Sequence, residues 1–239
     1  MRPAVNIVLP CYNPNDSWYK ELLAFYACAR ERYELSFILV NDGSGPSRLE
    51  EQLAYLKEQG VSVRYITYAK NRGKGYALRQ GIGAADREFV VYTDVDFPFT
   101  DQSTLAVLDT LTIGDCDIVA GYRDEKYYQK TMSAYRKLLS RAFRFFIRRV
   151  LNMSVTDTQC GLKGFNQKGR AKFLTTTINR YLFDFEFIYT SGKDRALVIK
   201  TVQVQLKDNI VFSKMKFKIL VQEIFNLLRV LLFRKRQKT

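Results

Sequence analysis

Five short runs of apolar and β-branched residues recur at regular intervals along the first half of the chain. The predicted strands are Val5–Pro10, Leu35–Val40, Val63–Thr67, Phe89–Thr93 and Asp117–Gly121. Helix-like stretches separate them at Trp18–Tyr33, Leu49–Gln59, Gly75–Ala85 and Ser103–Leu111. Alternating strands and helices are typical of βαβ units, and continuous apolar strands are typical of a sheet covered on both faces. The pattern therefore predicts an α/β fold with a mainly parallel sheet and flanking helices.

Polar residues follow three of the predicted strands. The first strand leads into Cys11-Tyr12-Asn13, the second into Asn41-Asp42-Gly43-Ser44, and the fourth into Asp94-Val95-Asp96. Ligands of open parallel sheets bind at the carboxyl ends of the strands. We therefore expect these three segments to meet at one binding site.

Each motif at this edge has a functional and a structural interpretation. Asp94 and Asp96 can hold a hard divalent cation together with substrate phosphates, or form an acidic turn; their place after a buried strand favours the cation. Asp42 is either part of an Asx turn or a carboxylate that binds a nucleobase or ribose. Asn71-Arg72-Gly73-Lys74-Gly75 is either a basic turn or, at the start of a helix, a site for an anion.

The second half of the chain contains two basic segments with apolar residues. Tyr135–Leu151 predicts an amphipathic helix with Phe and Leu on one side and Lys and Arg on the other. Residues 213–239 form a second such segment, which we separate from a domain at residues 1–212. Helices of this kind lie on anionic membrane surfaces. The alternatives are a core helix with a solvated basic side and, less favoured by the bulky apolar face, a nucleic-acid binding helix.

The composition narrows the chemistry further. The chain has 239 residues, 38 Lys and Arg against 24 Asp and Glu, a net charge of +14 and no histidine. Triads that contain histidine, HExxH zinc sites and an imidazole base are therefore excluded. The four cysteines lack a CxxC spacing and are expected to be free, buried thiols.

The location follows from what the sequence lacks. The N-terminal segment has too little apolar length for a signal peptide, and no apolar run reaches the length of about 18 residues that a membrane span needs. We expect a cytoplasmic protein, peripheral on the cytoplasmic face of a membrane. The positive charge calls for an anionic partner, such as a membrane surface or a phosphorylated substrate.

Seven motifs in order resemble family-2 glycosyltransferases of the GT-A fold, over roughly residues 4 to 215. The branch that the sequence resembles contains dolichol-phosphate mannose synthase and polyprenyl-phosphate glycosyltransferases. Departures from the family pattern stand at Pro14, Asn41 and Pro98. The motifs are Leu9–Asn13, Val40–Ser44, Asn71–Gly75, Asp94–Asp96, Gly121–Arg123, Asp157–Phe165 and Phe183–Glu186.

The resemblance implies a role for each matching residue. Donor-binding residues would be Pro10, Tyr12, Val40, Asp42, Lys74, Asp94 and Lys214. Asp94 and Asp96 would hold Mg²⁺ or Mn²⁺, and Asp96, Arg123 and Asp157 would be catalytic. Arg123 would approach the diphosphate or the sugar, and Asp157 would lie on the acceptor side.

The resulting hypothesis is inverting, metal-dependent transfer of a hexose from a nucleotide diphosphate sugar to a polyprenyl phosphate. UDP-glucose is favoured over GDP-mannose as the donor, no nucleic acid is expected, and a separate membrane protein could assist. One alternative is a family-2 transferase that acts on a sugar hydroxyl in polysaccharide synthesis, with Asp157 as the base. The other is a degenerate transferase fold that serves as a membrane-binding module.

Overall fold

The computed structural model describes residues 1–45, 48–123 and 157–208. Its strands are β1 (Ala4–Cys11), β2 (Glu34–Asp42), β3 (Val63–Tyr68), β4 (Phe89–Tyr92), β5 (Ile118–Arg123), β6 (Lys163–Phe165) and β7 (Ile199–Val204). Its helices are α1 (Trp18–Ala29), α2 (Leu49–Glu58), α3 (Lys74–Gly83), α4 (Asp101–Thr112), α5 (Gln167–Leu174) and α6 (Phe183–Ser191).

The described strands form one sheet in the order β3-β2-β1-β4-β6-β5-β7. β1 runs parallel to β2 and β4, β2 runs parallel to β3, and β5 runs parallel to β7. The short strand β6 is antiparallel to both of its neighbours, β4 and β5. The predicted α/β fold with a mainly parallel sheet is confirmed, with one reversed strand inserted near its middle.

Alternate residues of the central strands enter two separate hydrophobic cores. In β1, Ile7 and Leu9 pack in the core that contains Trp18 and Phe25 of α1. Val8, between them, packs on the opposite face with residues of α3, α5 and α6. Burial of each large apolar side chain stabilises the fold by roughly 1.5–3 kcal/mol. Strands β1, β2, β4 and β5 are covered on both faces in this way, as predicted, whereas no residue of the edge strand β3 is buried.

All five predicted strands and all four predicted helices are present, with shifted ends. The largest shift is in α1, which ends at Ala29 rather than at Tyr33. Tyr33 instead packs into the core, and its hydroxyl donates to Asp109 of α4, so the chain leaves the helix early. Strands β6 and β7 and helices α5 and α6 were not predicted.

Two other expectations concern the cysteines and the basic segments. All four cysteines are free, but Cys28 is exposed, so the prediction of buried thiols is correct only for Cys11, Cys116 and Cys160. The predicted helix at Tyr135–Leu151 and the tail at residues 213–239 lie outside the described residues. Within the three described ranges, none of the helices has the length and apolar character that crossing a bilayer requires.

Candidate active site

The carboxyl ends of β2, β1 and β4 lie side by side and bring the three predicted motifs to one edge of the sheet. Pro10 and Val40 are partners in the β1–β2 register. The side chain of Val40 is fully buried in the core beneath α3, whereas Tyr12 is 55% exposed. Val40 therefore supports this edge from below, and Tyr12 presents an aromatic ring at its surface.

Hydrogen bonds between the first two loops hold the backbone around Tyr12. The amide of Asn13 donates to Ser44 Oγ at 2.9 Å, and the amide of Gly45 donates to Asn13 Oδ1 at 3.2 Å. Asn13 has a φ of 46°, in the left-handed region that asparagine tolerates better than most residues. The two loops thus form one connected rim beside the exposed ring.

Asp42 holds the loop that precedes α3. Its two carboxylate oxygens accept from the amides of Arg72 and Gly73, at 2.7 and 2.8 Å. Gly73 has a φ of 101°, and a Cβ there would lie 2.4 Å from the carbonyl oxygen of Asn179, so this position requires glycine. The sequence had not indicated this structural use of Asp42. Its contact with a nucleotide stays a prediction.

The first amides of α3 are also occupied. Gly75 N and Tyr76 N both donate to the carbonyl oxygen of Asn179, at 2.8 and 3.4 Å. The helix N-terminus is therefore capped by the protein itself and does not present these two amides to an anion. The cationic side chains of this loop, Arg72 and Lys74, are the groups that can meet a phosphate.

Lys74 turns toward the acidic motif. Its ammonium forms an ion pair with Asp94, and the two side chains are 25% and 41% exposed. Burial would lower the pKa of Lys74, but the charges of Asp94 and Asp184 outweigh burial and raise it, so the ammonium stays charged. Asp96 makes no ion pair with any other described residue.

The turn after this motif has an unusual conformation. Phe97 has a φ of 44°, which is rare for a bulky residue. Its amide donates to the carbonyl oxygen of Asp94 at 3.0 Å, and its ring stacks on Phe25 with centroids 5.2 Å apart. Core packing of this ring therefore holds the backbone that presents Asp94 and Asp96.

The two carboxylates fit a divalent cation that is shared with a ligand. Burial and the charge of Asp94 raise the pKa of Asp96, as expected for neighbouring acids. Among the described residues there is no cluster of three or more acidic, cysteine or histidine side chains that could enclose a metal. Mg²⁺ is commonly held by one or two carboxylates and substrate phosphates, so the pair suits such a cation.

Arg123 and Asp157 form a second, more deeply buried pair. The backbone amide, Nε and Nη2 of Arg123 all donate to the Asp157 carboxylate at 2.9 Å. Burial would raise the pKa of Asp157, but the hydrogen bonds and charge of Arg123 outweigh it and hold the pKa below the ordinary 3.8. Asp157 is therefore a weak base in this arrangement.

The low pKa of Asp157 predicts a specific dependence of stability on pH. The folded-state pKa lies below the unfolded one, so the contribution of the pair is fully present above about pH 5 and is lost as the pH falls through the folded-state value. We expect Asp157→Asn to lower the free energy of unfolding by about 2 kcal/mol at pH 7. Below the folded-state pKa the difference should nearly vanish. Urea unfolding from pH 7 down to about pH 2 measures it, and a difference that stays constant as the pH falls would contradict this assignment.

A buried polar network beneath the site joins residues to which the sequence had assigned no role. Lys163 is fully buried, and its ammonium donates to Asp184 at 2.7 Å and to the carbonyl oxygen of Cys160. The Tyr92 hydroxyl donates to the same Asp184 oxygen. The one available signal was the acidic residues inside the apolar run Phe183–Phe187.

Glu186, on the same helix as Asp184, connects this network to α3. Its carboxylate accepts from the amides of Thr177 and Ile178, both at 2.9 Å. The next residue of that loop is Asn179, which caps α3. Helix α6 thus positions the α3 N-terminus, and with it Lys74, from below.

Lys214, the remaining predicted donor-binding residue, lies outside the described residues. The structure brings together the others at the sheet edge, with Tyr12 exposed and Asp42, Lys74, Asp94 and Asp96 around the α3 loop.

Comparison with known proteins agrees with this arrangement. The sequence profile of glycosyl transferase family 2 matches residues 6–173. Dolichyl-phosphate beta-glucosyltransferase of Drosophila melanogaster is 30% identical over 200 residues, 77% of this chain and 61% of that protein. The Homo sapiens protein of the same name is 29% identical over 200 residues, 77% of this chain and 62% of its own length. The chain thus spans about three fifths of the length of these relatives.

Solved structures support the fold. Glucosyl-3-phosphoglycerate synthase from Mycobacterium tuberculosis, solved with Mn²⁺, UDP and phosphoglyceric acid, matches with a TM-score of 0.65 at 15% identity. The match covers 97% of this chain and 78% of that chain. At this identity the likeness concerns the fold alone, and it confirms the GT-A architecture expected from the motifs.

Proposed function

Since the chain belongs to glycosyl transferase family 2, we propose that it transfers a hexose from a nucleotide diphosphate sugar to a polyprenyl phosphate. The observation that carries the proposal is the group of Asp94, Asp96 and Lys74 at the carboxyl edge of the sheet. Two carboxylates and one ammonium at this place suit a diphosphate with its cation. Relatives named dolichyl-phosphate beta-glucosyltransferase support the acceptor class.

The donor would lie along the edge formed by β1, β2 and β4. Tyr12 would stack on a base: its ring is exposed, and the rim built by Asn13 and Ser44 lies beside it. Asp94 and Asp96 would hold Mg²⁺ or Mn²⁺. When bound, the cation neutralises charge that develops on the leaving diphosphate. Lys74 would contact the donor phosphates.

The proposed reaction needs no proton transfer to a side chain. An acceptor phosphate oxygen attacks the anomeric carbon, the bond from that carbon to the diphosphate oxygen breaks, and the configuration inverts. A phosphate monoester, with a second pKa of about 6, is largely a dianion at neutral pH. A chain without histidine, whose Asp157 is bound by Arg123, suits an acceptor that arrives ionised.

The need for a base distinguishes a sugar hydroxyl acceptor from a lipid phosphate acceptor. A hydroxyl must lose its proton during attack, which requires a base. The sequence candidate for that base was Asp157, and its lowered pKa makes it poorly suited.

The basic segments would bring the protein to its acceptor. Tyr135–Leu151 and residues 213–239 would rest on the anionic, cytoplasmic leaflet, where each Lys or Arg contributes about 1 kcal/mol to binding. Flotation with liposomes that contain or lack anionic lipid tests this part of the proposal. Equal recovery of the protein in the dense fraction with both would refute it.

Transfer itself is tested with a donor panel. Radiolabelled UDP-glucose, GDP-mannose, UDP-GlcNAc and UDP-galactose are each offered with polyprenyl phosphate, Mg²⁺ and the protein. We expect label in the organic phase with UDP-glucose, and none when the lipid lacks its phosphate. Label that enters only a water-soluble product would refute the lipid acceptor. Absence of turnover with every donor would refute the proposal that one of these four sugar nucleotides is the donor.

A further inference from the structure

Lys74 occupies the place where a cation would approach Asp94. It is the first residue of α3 and forms an ion pair with the Asp94 carboxylate, across the space between α3 and β4. Asp96, the second carboxylate of the motif, has no such partner among the described residues. The free protein therefore neutralises one of its two acidic groups with its own side chain.

The backbone at Gly161 packs against one side of the Lys74–Asp94 ion pair. A Cβ at Gly161 would lie 3.1 Å from Asp94 Oδ2 and 3.4 Å from Lys74 Nζ, so the backbone there rests directly against both groups. Lys163, fixed in the buried network, binds the carbonyl oxygen of the preceding residue, Cys160. The backbone wall at Gly161 is thus anchored from below.

An ammonium and a divalent cation on the same carboxylate repel each other. Two positive charges separated by a few ångströms repel each other, and screening is weak in a partly buried site. Binding of a metal at Asp94 is therefore opposed by Lys74 and becomes stronger when its ammonium leaves. In the free protein Asp94, Asp184 and Asp96 are the carboxylates that act on the Lys74 charge. A bound diphosphate would give the departing ammonium new oxygen partners.

We propose that Lys74 acts as a stand-in cation on Asp94 and moves to the donor phosphates, which makes binding of the divalent metal and of the nucleoside diphosphate cooperative. This inference rests on the proposed function for the identity of the donor. It predicts that the metal alone binds weakly and that bound diphosphate raises the affinity for the metal.

Mn²⁺ binding measured by electron paramagnetic resonance, with and without UDP, tests the inference on the full chain. We expect UDP to raise the Mn²⁺ affinity of the unaltered protein about tenfold, and K74M to raise the affinity for Mn²⁺ alone about fivefold, within the usual range of coupling between sites. The enhancement by UDP should shrink in K74M, since only direct contact between UDP and metal then contributes. K74R, which keeps the cation, should bind Mn²⁺ alone as weakly as the unaltered protein.

The matched control is K172M. Lys172 pairs with Asp194 at 2.8 Å, and the two side chains are 21% and 36% exposed, close to the values for Lys74 and Asp94. This variant removes the same charge from a similar pair on α5 and should leave Mn²⁺ binding unchanged. Thermal unfolding of each variant verifies that the chain is folded.

The result that overturns the inference is an Mn²⁺ affinity in folded K74M that equals or falls below that of the unaltered protein without UDP. An equal rise in K172M would also overturn it, since the effect would then come from net charge. Transfer assayed on the same samples separates the two proposals. Coupling that depends on Lys74 in a protein that transfers no hexose would refute the proposed function and leave this inference standing.

Discussion

Asp96→Asn is expected to reduce hexose transfer by about 10²- to 10³-fold, the usual loss when one group that stabilises developing charge is removed. Asparagine has nearly the same shape but lacks the charge that would hold the metal. Burial and the charge of Asp94 raise the pKa of Asp96, so its ionised form is unfavourable in the folded chain. Above the folded-state pKa, removal of this charge should therefore leave stability unchanged or slightly higher.

The measurement is the initial rate of label transfer to polyprenyl phosphate at saturating Mg²⁺, together with a thermal unfolding curve. Asp115→Asn is the control, because Asp115 is half-exposed, pairs with Lys200 and precedes the amino end of β5. This control should transfer hexose at the unaltered rate. Full activity in Asp96→Asn would contradict the proposed role of the acidic motif.

The sequence predicted the strands that consist mainly of apolar and β-branched residues. The five predicted strands are present with ends displaced by at most two residues. Strand β6 could not be found in this way, because it is three residues long and begins with the charged Lys163. The charge of Lys163 is neutralised by Asp184, which lies 21 residues away in the sequence.

In the candidate site, too, the sequence predicted some features, and others depend on tertiary packing. The strand-end rule was enough to place Asp42 near Asp94 and Asp96, because neighbouring parallel strands end at the same edge. It could not show that Asp42 is occupied by the amides of Arg72 and Gly73. Nor could it pair Arg123 with Asp157. Such contacts join segments that are distant in sequence, and only the tertiary packing decides which partner a charged group takes.

The buried network beneath the site carries the largest expected effect on stability. Lys163→Met is expected to lower the free energy of unfolding by about 3–5 kcal/mol, because it leaves the Asp184 carboxylate buried without its counter-charge. Lys163 is fully buried and the side chain of Asp184 is 6% exposed, so water can solvate neither group. The Tyr92 hydroxyl, which also donates to Asp184, offsets part of this loss.

Lys200→Met provides the matched comparison. Lys200 pairs with Asp115, but these side chains are 43% and 51% exposed, so solvent screens the interaction. Loss of a surface pair costs about 0–1 kcal/mol, and urea unfolding at pH 7 separates the two magnitudes. Equal losses in the two variants would contradict the buried ion pair.

A double-mutant cycle then separates lost pairing from lost packing. If the damage in Lys163→Met comes from the uncompensated carboxylate, then addition of Asp184→Asn should recover part of it, with a coupling energy of about 2 kcal/mol. Additive losses would assign the effect to packing of the lysine stem among Tyr92 and its neighbours. Because Lys163 also holds Cys160 beside Gly161, Mn²⁺ binding in the presence of UDP should weaken in the single variant and stay weak in the double variant, which lacks the same contact.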